Sequence, residues 1–434
     1  MKFTIKPEDL TSASAFVAAH LEKNPGSDQA VLGYTSITAG GDGATFMVTS
    51  GDGTAVMTAP ASVGEPGQVL VPGRLLADLA AKLPRGKGDA EMFTAGTGCA
   101  LTCGPADFVL RMFAGDDIDA YPVVRPAQEV IGICGGADLA SALSRLAGFS
   151  AHSIADPRFY AIEFAPEVKG ARLAASDAYR LADVWLPWTK DAAGWNAAPI
   201  LIPSRALAAV ARSFSSEDDV SIAVTTVNVP AAAASSERIR QAVLVTLATA
   251  TRSLTCNVIA SNPFADGYRR FLPACSKAAG TAADQRGDGG TTFPASVTAG
   301  PADLLDALNR VLIPAGTIRA VPVELALADP EMITIRLATE VPDHAGNRVE
   351  HGATNAVAAE VTGVGEVAYV SPAYLRDTLQ ACAGATLVTI VFDTLQGTAG
   401  QRRLPVLPVW AEGDPCPARY MIASVVAPAA RAAA

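Results

Sequence analysis

Apolar positions along the chain fall into one pattern that occurs six times, a short alternating or continuous apolar run followed by apolar residues at helical spacing. The first run is Phe3-Thr4-Ile5, followed by Leu10, Phe16, Val17 and Leu21. The second is Ile131-Gly132-Ile133-Cys134, followed by Leu139, Leu143 and Leu146, and the third is Val297-Thr298-Ala299, followed by Leu304, Leu308 and Val311. Each predicts a strand and then an amphipathic helix. Each helix carries an aspartate in its first turn (Asp9, Asp138, Asp303), where a negative side chain favours the helix dipole.

A second trio is interleaved with the first. Val69-Leu70-Val71-Pro72 leads to Leu76, Leu79 and Leu83; Ile200-Leu201-Ile202-Pro203 leads to Leu207 and Val210; Val367 to Val370 and then Pro372 lead to Leu375 and Leu379. A proline near a helix start costs little, because the first helical amides have no internal partner. The offsets agree: Leu10 to Leu76 is 66 positions, Leu139 to Leu207 is 68, and Leu304 to Leu375 is 71. Runs such as Ala44 to Thr49 and Leu387 to Phe392 read as strands between the helices. The Gly40–Gly43 and Gly51–Gly53 clusters read as hairpin turns. The chain is therefore expected to be α+β, with three tandem modules of two helix-plus-sheet halves each. The expected bounds are 1–126, 127–290 with an Ala/Ser-rich exposed insertion around 229–236, 291–426, and a flexible tail 427–434.

Composition narrows the function classes. The chain has 434 residues, half of them hydrophobic and 18% charged, which suits several packed cores. It contains neither an apolar leader nor a run of about 18 apolar residues, so a soluble cytoplasmic protein is expected. Seven irregularly spaced cysteines without a Cys-x-x-Cys pair argue against a disulfide framework and a zinc site. Four histidines, none paired at ligand spacing, and the lack of phosphate-loop, dinucleotide or nucleophile-elbow motifs point away from an enzyme. No catalytic residue, metal or cofactor is expected, and Asp116-Asp117 reads as a solvated loop. A net charge of −10 argues against a protein whose whole surface coats nucleic acid, while leaving room for a basic lining inside an acidic exterior.

Several blocks resemble the bacterial DNA polymerase III sliding clamp, the beta subunit. They are Met1-Lys2-Phe3-Thr4-Ile5, the run from Glu65-Pro66-Gly67 to Leu83-Pro84, Ser176-Asp177-Ala178-Tyr179-Arg180-Leu181-Ala182, and Tyr268-Arg269-Arg270-Phe271-Leu272-Pro273. The resemblance covers nearly the whole chain and implies a DNA-clamp fold. It implies a head-to-tail homodimer whose ring places twelve helices inward and sheets outward. Such a ring encircles duplex DNA without reading bases, through screened attraction to phosphates.

On the helices that the resemblance turns inward lie Arg74, Lys82, Arg145, Arg205, Arg212, Arg310 and Arg376, opposed by Asp78, Asp306 and Asp377. Arg205 and Arg212, seven apart, share a helical face. By resemblance Lys23 and the segment Arg158-Phe159-Tyr160 also face DNA. The resemblance further implies a hydrophobic cleft that takes short linear motifs of the polymerase, clamp loader and repair proteins. The matching positions are Ser176, Ala178, Tyr179, Arg180 and Leu181, then Phe271, then Met421, Ile422, Ala423, Ser424 and Val425. Leu181 and Phe271 also fit a core role.

The C-terminal stretch departs from the family's Met-Pro-Met/Val-Arg-Leu ending, reading Ala423-Ser424-Val425-Val426-Ala427, and Asp266 stands near a family proline position. Two other readings stay open. One is a clamp-fold paralogue or phage scaffold with an altered cleft that is not the main replication clamp and need not encircle DNA. The other is an enzyme with an unfamiliar site.

Overall fold

A computed structural model describes residues 1–22, 25–113, 121–150, 157–190, 199–214, 217, 219–230, 239–259, 295–315, 321–337, 341–342, 348–349, 353–395, 404–412 and 418–424. All six predicted strand–helix units form. Lys2–Ile5 precedes helix α1 (Pro7–Ala18), Gly67–Pro72 precedes α2 (Gly73–Ala80), and Glu129–Cys134 precedes α3 (Gly136–Leu146). Ile200–Pro203 precedes two short helices, α4 (Ser204–Ala208) and α5 (Val210–Ser213). Ala295–Ala299 precedes α6 (Pro301–Val311), and Val367–Val370 precedes α7 (Pro372–Ala381). Proline opens α1, α6 and α7 where its missing N–H costs nothing. In α6 the buried face is Leu304, Ala307, Leu308 and Val311, the i, i+3, i+4, i+7 stripe of an amphipathic helix. Each buried leucine contributes roughly 1.5–3 kcal/mol of transfer free energy.

The chain forms two compact units. In the first, an eight-stranded sheet runs Glu129–Cys134, Val220–Pro230, Ile239–Ala248, Arg252–Asn257, Gly53–Pro60, Gly43–Ser50, Tyr34–Gly40 and Gly67–Pro72. Its middle is a seam between distant parts of the chain, where Arg252–Asn257 pairs antiparallel with Gly53–Pro60, Leu254 opposite Ala55. Gly53 sits at φ +155°, and a Cβ there would collide with the backbone oxygen of Thr255, so the seam closes only over a bare backbone. A five-stranded sheet, Ser62–Glu65, Lys2–Ile5, Ala90–Ala95, Gly98–Cys103 and Ala106–Arg111, completes this unit. α1 packs on α2, and Thr11 Oγ1 donates to the Ala80 carbonyl at 2.9 Å.

The second unit holds a long sheet running Ala161–Glu167, Gly170–Ser176, Arg180–Pro187, Ala418–Ala423, Leu404–Glu412, Leu387–Leu395, Ala295–Ala299 and Glu360–Thr362. A four-stranded sheet, Thr354–Ala358, Met332–Leu337, Val323–Asp329 and Val367–Val370, lies in the same unit, where α6 packs on α7. Both units therefore join stretches from neighbouring repeats of the sequence through main-chain pairing.

The glycine turns fall where expected: residues 41–42 and 51–52 connect the first meander, with Gly41 at φ +56°. One boundary differs. The strand Val220–Pro230 continues through Val229 and Pro230, opposite Arg240 and Ile239, so the start of the expected insertion belongs to a hairpin. β-branched Val227 suits that pleated pairing. Asp116, Asp117, the stretch 278–294 and the tail lie outside the described residues.

Candidate functional site

The segment Ser176 to Arg180 is a tight connection between strands Gly170–Ser176 and Arg180–Pro187, built by its own short polar side chains. Ser176 Oγ donates to the Arg180 carbonyl at 2.8 Å and accepts from the Ala178 amide at 3.2 Å. Asp177 Oδ1 accepts from the amides of Tyr179 (3.1 Å) and Arg180 (3.0 Å), an Asx-type turn. The turn places Ala178 at φ +76°, the only described non-glycine residue with positive φ. Tyr179 is thereby pushed out and is 62% exposed.

Arg180 turns the other way and is enclosed. Its Nε donates to Asp177 Oδ2 at 2.9 Å and its Nη1 to Asp377 Oδ2 at 2.6 Å. Its guanidinium lies 4.5 Å from the Tyr374 ring centroid and 5.3 Å from that of Phe149. Phe149 stacks on buried Tyr420 at 5.4 Å, and Tyr179 stacks on Tyr374 at 6.3 Å. The result is an aromatic ladder with one charged rung. Desolvation alone would lower the Arg180 pKa, but the hydrogen bonds it donates to Asp377 and Asp177, with their charges, outweigh it and the net shift is upward. The Tyr374 hydroxyl is also raised, first by burial and then by the Asp177 charge.

The expected C-terminal strand forms the adjoining wall. Arg180 lies opposite Ile422 and Leu181 opposite Met421, and the Ala423 amide donates to the Tyr179 carbonyl at 2.8 Å. Behind this pairing Asp183, 1% exposed, accepts from Arg172 Nη1 at 2.9 Å and from Arg419 Nε at 3.0 Å. Leu181, Met421 and Ile422 are buried; the more accessible positions are Ala178, Tyr179, Ala423 and Ser424. Ser176 and Arg180 are half-buried. Phe271, Val425 and Asp266 lie outside the described residues.

Sequence reasoning missed the residues that hold Arg180. Asp377 was expected as an acid opposing the inward basic face, yet it pairs with Arg180, because α7 presents Tyr374 and Asp377 three positions apart on one side. Phe149 and Tyr420 were not singled out. The Tyr-x-x-Asp spacing in α7 was the one available signal.

The basic positions are individually visible. Arg74 on α2, Lys82 just beyond it, and Arg310 on α6 beside Asn355 are exposed. Arg205 and Arg212 are exposed on α4 and α5, which meet at Ala209 in helical conformation, so the seven-residue spacing still places them on one side. Arg205 is also held by Glu22 and Asp52, each at 3.4 Å, which reduces its local field. Arg145 on α3, Phe159 and Tyr160 in a 3₁₀ turn, and Arg376 on α7 are half-buried. Lys23 lies outside the described residues, and Arg158 is described only by its backbone.

Cys99, Cys103, Cys134 and Cys256 are buried thiols; burial pushes Cys99 up to about 11 and Cys134 to about 12, away from nucleophilic chemistry. Among the described residues no three His, Cys, Asp or Glu side chains gather as a metal site, and no helix is long and apolar enough to cross a membrane.

Comparison with known proteins agrees with this architecture. Residues 1–122 match the family described as DNA polymerase III beta subunit, N-terminal domain. The chain is 29% identical over 225 residues to the beta sliding clamp homolog GriR of Streptomyces muensis, covering 52% of this chain and 58% of that protein. It is 29% identical over 175 residues to the beta sliding clamp of Streptomyces coelicolor, covering 40% of this chain and 44% of that protein. The matched stretches thus span about half the length of these relatives. The DNA polymerase sliding clamp of Bacillus subtilis superposes with a TM-score of 0.75 at 17% identity, over 98% of this chain and 99% of that one. The fold is that of the sliding clamps.

Proposed function

We propose that this divergent relative of the bacterial beta sliding clamps is a processivity clamp: a homodimeric ring that encircles duplex DNA and tethers a polymerase, clamp loader and repair proteins. The observation that carries the reading is the agreement of the whole chain with the clamp fold, together with the family match over residues 1–122. The six strand–helix units support three modules, 1–126, 127–290 and 291–426, that share sheets across their boundaries.

Ring closure has a physical basis in each unit. Among the described residues Ala106–Arg111 is an edge of its sheet and carries Val109, 74% exposed; Thr354–Ala358 is an edge of the other, and Ile313 after α6 is equally exposed. Edges that carry apolar side chains invite pairing with a second copy. A head-to-tail dimer joins the first edge of one protomer to the second edge of its partner.

Arg74, Lys82, Arg145, Arg205, Arg212, Arg310 and Arg376, with Lys23 and the segment from Arg158 to Tyr160, supply the weak phosphate attraction that sliding needs. The Arg180 turn with the C-terminal strand Ala418–Ala423 forms the wall of the partner cleft, an apolar groove suited to an extended peptide. The function is topological and cytoplasmic and needs neither catalytic group nor cofactor.

Primer extension on a primed circular template tests this reading. With a bacterial polymerase III and clamp loader, adding the protein lengthens the products of single binding events. Product lengths unchanged at any protein concentration contradict it.

A further inference from the structure

We propose that Asp377 sets the charge class of the partner segment, closing Arg180 to anions so that the Tyr179–Tyr374 wall takes a peptide with a lysine or arginine beside its apolar anchor. The inference rests on the cleft reading above and deepens it.

An arginine at the edge of a peptide groove is ordinarily a receptor for carboxylates. Here the guanidinium is already used on two edges, by Asp177 at 2.9 Å and Asp377 at 2.6 Å, and covered on its faces by Tyr374 and Phe149. Its side chain is only 10% exposed. A ligand carboxylate would have to displace one of two carboxylates held in place. Asp177 is fixed by two backbone amides. Asp377 rests against Gly148, where a Cβ would lie 3.5 Å from its own. An anion brought to this point therefore meets like charge before it gains a hydrogen bond.

What remains open to a ligand is aromatic. The Tyr179 ring is mostly exposed and backed by Tyr374, the Tyr179 amide donates to Asp177, and Asp377 lies one turn along α7 from Tyr374. A cation over a tyrosine face, next to carboxylates, gains from both the ring quadrupole and the charges.

The test uses the full chain and two labelled peptides with the same Gln-Leu-x-Leu-Phe core, one flanked by two lysines and one by two glutamates, read by fluorescence anisotropy. The lysine peptide is expected to bind roughly three- to fivefold more tightly. The chain's net charge of −10 favours a basic peptide everywhere, so the variants decide the matter. Asp377→Asn should lower the ratio toward the preference that the overall charge alone gives. Tyr179→Ala, at an exposed position that leaves the core intact, should weaken the lysine peptide more than the glutamate peptide. A ratio unchanged in Asp377→Asn, or tighter binding of the glutamate peptide to the unmodified chain, overturns the inference and leaves the cleft standing. Binding of neither peptide by the unmodified chain overturns the cleft reading itself, and this inference with it.

Discussion

Arg180 and Asp377 are 197 positions apart in sequence, and their side chains meet at 2.6 Å. The pair fastens the turn between two strands of the second unit to helix α7 of the same unit. Arg180 keeps Asp177 when Asp377 is lost, so no charge is stranded, and Asp377 is about a third exposed. Solvent screening therefore limits the coupling to roughly 1 kcal/mol. A double-mutant cycle of Arg180→Ala and Asp377→Ala, followed by urea denaturation, should return a favourable coupling of that order. Additive effects would mean that the pair holds nothing.

Ala178 sits at φ +76° with its side chain in solvent. A left-handed conformation costs an L-residue about 1–2 kcal/mol, and the added freedom of an unfolded glycine costs about 0.4–1 kcal/mol. Ala178→Gly should therefore stabilise the protein by a few tenths to about 1 kcal/mol. A lower urea midpoint would show that the turn is not strained.

Gly53 lies at the seam of the eight-stranded sheet, where a Cβ meets backbone rather than a yielding side chain. Gly53→Ala should cost about 2–4 kcal/mol, a loss large enough to come only from a forced backbone shift. Hydrogen exchange should show the loss concentrated in Arg252–Asn257 and Gly53–Pro60. Native-like protection there would place the seam elsewhere.

His20 is buried edge-on to Phe16, its Nε2 has no hydrogen-bond partner among the described residues, and burial lowers its pKa to about 4. The unfolded chain takes up this proton near pH 6.5 and the folded chain only near 4. Stability from this residue is thus complete above about pH 6.5 and falls as pH drops through that window, by up to about 3 kcal/mol. His20→Leu should flatten the urea midpoint between pH 6.5 and 4 relative to the unmodified chain. Parallel pH profiles would show that the imidazole is solvated.

The strand–helix units were legible because each has a one-sided apolar stripe and a proline or aspartate at the helix start, features that act locally. The turn at Ser176–Arg180 was legible as a block that resembles the sliding clamps; the pairing of Arg180 and Leu181 with Ile422 and Met421 shows only in the structure. The seam between Gly53–Pro60 and Arg252–Asn257 was not legible, since strand pairing across some 200 residues leaves no local mark. Nor was the enclosure of Arg180, because Asp377 is an ordinary helical acid until α7 is docked. Leu181 and Met421, expected as cleft positions, are buried, as is Ile422 beside Met421, because the strands Arg180–Pro187 and Ala418–Ala423 are covered on both faces.

The central claim is topological, and retention on closed DNA tests it most directly. The protein, loaded with a bacterial clamp loader and ATP onto nicked circular plasmid, is separated from free protein by gel filtration at elevated salt. A second sample is linearised first. The account predicts that the protein stays with the circle and leaves the linear molecule. Equal release from both, or salt-dependent loss from both, would contradict a ring that encircles DNA.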